Sequence, residues 1–336
     1  METLVRAAVL TNYFEVASHL GLNPQPLLAK LGLNRRLLGD SESRISLKAA
    51  ITLLEESARV TSCNSFGLRM AESRQLAHFG VVSLLLSHQA TLREALLVLT
   101  QYQHLLNESL AIHIEDAGKL AILREEVITD GSIEKRQGTE LAIGVLFRLC
   151  TALLGQHWHP VSVSFTHSAP EDLSVHQRLF RCKIEFDAEF NGIACLAADI
   201  DRPNPMADPG MARNAVRLVE TLPTAGPPSV VLEVRKAIYV GLPMGRATIE
   251  QVALALGMNV RTLQRRLDDT AHSFSALIDE VRRELALRYM ENSQYQLGRV
   301  AELLGYSMLS SFTRWFKAQF GMTPERWREK RSHRRA

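Results

Sequence analysis

Arg261, Gln264 and Arg265 are spaced i, i+3, i+4, so a helix through them carries all three on one face. Long donor and acceptor side chains on an exposed helical face suit the edges of bases in a major groove, where Arg pairs with guanine and Gln with adenine. Val260, Leu263 and Leu267 fall on the opposite stripe and read as the buried side of that helix. A second set, Ser310, Thr313 and Arg314, occupies the equivalent positions further along the chain. Thr262, Ser311 and Lys317 complete the candidate DNA-contacting residues.

The equivalence rests on an internal repeat. Ala253-x3-Gly257 recurs as Ala301-x3-Gly305, and Leu263-x-Arg265-x-Leu267 recurs as Phe312-x-Arg314-x-Phe316. The second copy has a turn one residue longer. A small residue lets two helices approach where they cross, a glycine takes the positive φ of a tight turn, and an apolar pair at i, i+4 buries the following helix. One such stretch alone would suit an ordinary helical hairpin; two at matching offsets predict a pair of helix-turn-helix units. A long helix, about 273 to 292, separates them.

The run Val300-Ala301-x3-Gly305-Tyr306-x4-Ser311-Phe312-x-Arg314-x-Phe316-Lys317-x3-Gly321-x-Thr323-Pro324 resembles the signature of AraC/XylS-family transcription regulators. The resemblance covers about 230 to 330 and is looser in the first copy. It implies that both recognition helices enter successive major-groove segments, about one helical turn apart, on one face of the DNA. It also implies contact with RNA polymerase and activation rather than repression. Ala77 to Gln101, Val161 to Pro170 and Arg181 to Asn191 resemble, less specifically, the N-terminal domain of ornithine-utilisation-regulator-like members, which implies effector sensing and a possible homodimer. No arm and jelly roll are evident, so a sugar-binding barrel is not expected.

Charge agrees with this division. Residues 229 to 336 carry 18 Lys+Arg against 11 Asp+Glu, a net of +7, whereas the rest carries 21 against 25, a net of −4. A basic segment joined to an acidic one suits a polyanion-binding module on a separate sensing domain. Six of the twelve prolines lie between Pro203 and Pro228, and proline interrupts regular structure. The expected organisation is a sensing or dimerisation domain at 1–220, a linker at 221–229 and a DNA-binding domain at 230–336.

The first domain reads as α+β with a mostly antiparallel sheet, the second as all-α with about seven helices. Helices are expected at Thr3–Leu20, after Asn23-Pro24, at Ser46–Val60, from Thr91 to about Leu106, at Ile133–Leu154 and at about Met211–Leu222. Leu110-Ile112-Ile114 and Leu120-Ile122 flank Asp116-Ala117-Gly118 as a hairpin. Val161–Phe165, Ile184–Phe186 and Ile193–Cys195 read as short strands.

Other chemistry finds little support. No Walker, G-x-S-x-G or G-x-G-x-x-G run occurs, so NTPase, hydrolase and dinucleotide functions are not indicated, and no enzyme or cofactor is expected. His157 and His159 lack further ligands nearby, and no metal is expected. Cys63, Cys150, Cys182 and Cys195 form no C-x-x-C and suit reduced thiols in the cytoplasm. The apolar runs read as too short to span a bilayer. Two rival functions remain on sequence: an enzyme with a DNA-binding tail, and a structural DNA binder without an effector.

Overall fold

The computed structural model describes residues 3–129, 131, 133–221 and 229–335. The chain divides into two compact units, Met1–Pro227 and Pro228–Ala336. The expected linker at 221–229 falls mainly on residues 222–228, outside the described residues.

The first unit opens with β1 (Leu4–Arg6), a 3-10 turn at Ala7–Leu10, α1 (Tyr13–His19), α2 (Gln25–Lys30) and α3 (Arg35–Gly39). Then come β2 (Arg44–Ser46), α4 (Leu47–Val60), α5 (Phe66–Glu72), α6 (Val82–Ser87) and α7 (Leu92–Gln101). The hairpin β3 (Leu110–Ala117) and β4 (Leu120–Val127) leads to α8 (Arg136–Leu154), β5 (Ser162–Ser164), α9 (Ser174–Phe180), β6 (Lys183–Glu185) and β7 (Gly192–Leu196). Two helices end the unit, α10 (Ala197–Ile200) and α11 (Pro209–Glu220).

The five-stranded sheet has the order β3-β4-β7-β5-β6, antiparallel except for the β5–β6 pair. It is the expected α+β architecture, an open sheet with helices. The caps do much of the local work: Ser46 accepts from Ala49 N–H, and Thr91 accepts from Glu94 N–H, each satisfying an orphan donor of a first turn. The helix from Thr91 ends at Gln101, earlier than expected, and gives way to a 3-10 turn at Gln103–Leu105.

The single helix expected over Thr3–Leu20 is instead a strand, a 3-10 turn and a helix. Val5 pairs with Ile45 and so closes a two-stranded ribbon that no local pattern announces. In β4 the fully inward row is Ala121, Leu123, Glu125 and Val127, while Leu120 and Ile122 are half-buried on the other face.

Two apolar clusters share α8. Tyr13, Leu53, Phe66 and Met70 meet its Leu141, and Leu123, Phe165, Phe180 and Ile193 meet its Ile143 and Phe147. A helix packed on several sides is apolar all round. That is why Arg136–Leu154 is, by length and hydropathy alone, long enough to cross a membrane, contrary to the expectation from sequence, while most of it lies inside this unit. Buried beside it, Glu140 accepts from Arg136 Nε at 3.2 Å and faces His167 Nε2 and His176 Nε2, each at 3.3 Å. The four cysteines are free, and Cys63, Cys150 and Cys195 are buried.

Glu125 interrupts the inward row of β4. Only 4% of it is exposed, its Oε2 meets no protein partner, and burial, with the adjacent Glu126 carboxylate, pushes it up to about 8. An acid whose folded pKa is raised contributes stability that is full below its unfolded value and lost as pH rises through the folded value. We therefore expect the first unit to lose up to about 1.4 kcal/mol per pH unit from this group as pH rises from roughly 4.5 to 8. Glu55, pushed up to about 7 chiefly by burial, acts in the same direction. Thermal unfolding across that range, on the native chain and on Glu125→Leu, checks this: the variant should show the shallower decline, and an unchanged slope would contradict it.

The second unit is all helical: α12 (Val230–Gly241), α13 (Ile249–Ala255), α14 (Val260–Asp268), α15 (Phe274–Glu291), α16 (Leu297–Leu303), α17 (Leu309–Phe320) and α18 (Pro324–Arg335). The long central helix α15 is capped by Ser273, which accepts from Ala276 N–H. It ends at Asn292, as the spacing predicts.

Candidate nucleic-acid interface

Both repeats end their first helix in the same way. After α13, Met258 N–H donates to Ala253 C=O at 2.8 Å and Gly257 N–H to Leu254 C=O at 3.0 Å, with Gly257 at φ +65°. After α16, Tyr306 N–H donates to Ala301 C=O at 2.9 Å and Gly305 N–H to Glu302 C=O at 2.9 Å, with Gly305 at φ +77°. This 6→1 plus 5→2 closure requires a left-handed residue at the glycine position. The repeated Ala-x3-Gly spacing therefore marks both ends of one hydrogen-bonded turn, besides placing a small buried residue on the first helix.

The following helices differ in how they start and what they bury. Asn259 caps α14 by accepting from Thr262 N–H at 2.8 Å. Leu263 and Leu267 are buried, Val260 is half-buried, and Arg261, Gln264, Arg265 and Arg266 are exposed. In α17, Phe312 and Phe316 are buried, and Ser310, Arg314 and Lys317 are exposed. Thr262, Ser311 and Thr313 are half-covered, so they offer less of their side chains to a ligand than their helix positions suggest.

Among the described residues, no carboxylate pairs with Arg246, Arg261, Arg265, Arg266, Arg314 or Lys317. Several other basic residues of the unit are committed. Arg235 bridges α12 to α15 through Glu280 at 3.0 Å and Glu284 at 2.7 Å. Arg282 donates to Leu304 C=O at 3.2 Å and lies over the Tyr306 ring at 4.9 Å, and Arg283 donates to Gln319 at 3.0 Å. The central helix is thus tied to α12 on one side and to the second helix-turn-helix on the other. Arg328 and Arg331 also turn inward, to Asn292 C=O at 3.3 Å and Glu291 at 2.6 Å, and so brace α18 against the end of α15.

The arrangement can bind a polyanion and present side chains to bases, since charges without internal partners neutralise phosphates and the exposed faces of α14 and α17 have the size of a groove-entering helix. A sequence profile described as a helix-turn-helix domain matches residues 252–330, over both repeats. A second, described as the N-terminal arabinose-binding domain of the AraC transcription regulator, matches residues 21–204, more than half of the chain. The chain belongs to the AraC family of transcription regulators.

Two curated relatives match along nearly their full length. The HTH-type transcriptional regulator VirS of Mycobacterium tuberculosis is 30% identical over 97% of this chain and 96% of its own. The ornithine utilization regulator of Pseudomonas aeruginosa is 22% identical over 97% and 96%. The crystal structure of CdpR, a transcriptional regulator of P. aeruginosa, aligns with 91% of this chain and 96% of its own at 18% identity and a TM-score of 0.41. This AraC-type protein is a DNA-binding transcription regulator with a ligand-binding type of N-terminal domain, and its relatives are regulators rather than enzymes.

Sequence reasoning missed Arg246 and Arg266, which are as exposed and unpaired as the arginines it named. Arg266 directly follows Arg265 and lies outside the i, i+3, i+4 set, so spacing alone passes over it. Glu125 was missed too, although an acid at the third place of Ala121-x-Leu123-x-Glu125-x-Val127 is a visible breach of strand alternation.

Proposed function

We propose that this regulator is an effector-responsive activator whose helices α14 and α17 read successive major-groove segments of a promoter. The observation that carries it is the exposed, unpaired set Arg261, Gln264 and Arg265 on a helix held by its buried Leu263 and Leu267, repeated in looser form at Ser310, Arg314 and Lys317. In this reading Arg261 and Gln264 read bases. Arg265, Arg314 and Lys317 hold phosphates, and Thr262, Ser310, Ser311 and Thr313 make short contacts of low discrimination. Residues 230–336 form the DNA-binding domain and 1–220 the sensing domain, which also supports a homodimer on palindromic or repeated sites. RNA polymerase is the partner through which activation occurs, and the protein acts in the cytoplasm.

Footprinting across the DNA flanking its own gene, followed by transcription in vitro with purified polymerase, tests this. A protected region spanning two segments about one turn apart, with transcript rising when an effector is added, is the expected result. Protection without segment spacing or sequence preference would favour a structural DNA binder.

A further inference from the structure

The first unit holds a pocket of about 140 Å³, open to solvent on one side, between β3, β4, α4, α7 and α8 and the segment around Arg6 to Leu10. Its walls are mainly aliphatic, with Ile51, Leu54, Ile112, Val145 and Leu149 among them. A cavity of roughly 150 Å³ lined by such side chains accepts a molecule the size of benzene. A fully packed core would have no such space, and the apolar walls alone would favour any small hydrocarbon.

The polar groups in the wall narrow the choice. Glu125 is buried in the wall, with Oε2 unpartnered by protein. Its pKa of about 8 keeps it mostly protonated at neutral pH, so it presents a hydroxyl donor. Arg6 and Arg74 also line the cavity and are buried. Arg74 gives Nη1 to Ala8 C=O at 2.9 Å and Nη2 to Val9 C=O at 2.7 Å but leaves Nε without a protein partner, Arg6 is paired with Glu42, and His78, Gln103 and Asn107 complete the polar lining. A cation meets two buried guanidinium groups of its own sign, and an anion finds a single unpartnered N–H, that of Arg74 Nε, in exchange for its solvation shell. A neutral acceptor meets a donor in Glu125 and forfeits no charge solvation on entry.

We propose that this cavity binds a small neutral molecule of about six to eight non-hydrogen atoms, aliphatic over most of its surface, with one hydrogen-bond acceptor placed on the Glu125 carboxyl. Alcohols, ketones and short esters have this chemistry. The assignment deepens the effector-sensing reading above and rests on it for its regulatory meaning, while the binding site stands on its own geometry.

Three chain-matched probes test it on the full-length protein near pH 6.5, where the amine and acid are charged: hexan-1-ol, hexylamine and hexanoate. Hexan-1-ol should raise the Tm saturably, and the two charged probes should need at least about tenfold higher concentrations for the same shift. Glu125→Gln keeps a donor and should keep the response. Glu125→Leu and, independently, the cavity-filling Ala142→Phe should lose it. Equal potency of either charged probe, or a hexan-1-ol response that persists in both Glu125→Leu and Ala142→Phe, would overturn the proposal. Binding by hexan-1-ol that leaves DNA affinity and transcription unchanged supports the site and counts against effector sensing. A charged metabolite that alters transcription by occupying this cavity, shown by competition with hexan-1-ol, overturns the neutral-ligand assignment and leaves effector sensing intact.

Discussion

Raising monovalent salt from about 50 mM to about 200 mM should weaken binding of this regulator to its promoter by roughly a thousandfold. The magnitude corresponds to about six phosphate contacts, which Arg246, Arg261, Arg265, Arg266, Arg314 and Lys317 can supply as exposed cations with no carboxylate partner among the described residues. Each cation that neutralises a phosphate releases condensed counterions, and about six of them give a slope of roughly −5 in log K against log salt. Arg314→Ala should lower that slope by about one and weaken all sequences about equally. These side chains are solvated in the free protein, so removing one costs little stability. Filter binding or fluorescence anisotropy over a salt series reads the slope directly. A nearly flat response would mean that the cations do not face phosphates.

Phe316→Ala should destabilise the second unit by about 3–5 kcal/mol and remove specific DNA binding with it. Phe316 is fully buried, and its ring centroid lies 4.4 Å from Phe320, 5.6 Å from Phe312, 6.3 Å from Trp327 and 6.5 Å from Trp315. It therefore joins α17 to α18 and sets the direction in which Ser310, Arg314 and Lys317 project. Lys317→Ala, one residue on but exposed, should stay within about 0.5 kcal/mol of the native stability while weakening DNA binding. Urea unfolding followed by tryptophan fluorescence separates the two effects. A loss below about 1 kcal/mol for Phe316→Ala would show that the ring cluster does not hold the helix.

The helix-turn-helix units were legible because their constraints are local. The turn needs a glycine at positive φ four residues after a small buried one, the next helix needs an apolar pair at i, i+4, and Ser273 supplies a cap that dates the start of the central helix. The sheet was legible from alternation, though the apolar row named in β4, Leu120 and Ile122, proved to be the less buried face. What local pattern does not carry is pairing across distance. Leu4–Arg6 form a strand only because Arg44–Ser46 lie beside them, so the apolar spacing of that stretch suggested one continuous helix. The apolar length of α8 likewise reflects packing on several sides, which no window of sequence separates from a membrane span. Of the candidate site, side-chain identity was readable and coverage was not: Thr262, Ser311 and Thr313 lie on the right helices but are half-covered by their surroundings.

Base-by-base selection from a randomised promoter site, carried out with the native protein, Arg261→Ala and Gln264→Ala, tests the central claim most directly. Arg261→Ala should cost about 1–3 kcal/mol at the preferred site and relax the choice at one base position, a guanine if the pairing is bidentate. Gln264→Ala should do the same at a neighbouring position, an adenine, while the rest of the preferred sequence is unchanged. If both variants stay folded and keep the native affinity and the native base preferences, α14 does not read bases, and the assignment of its exposed face is wrong.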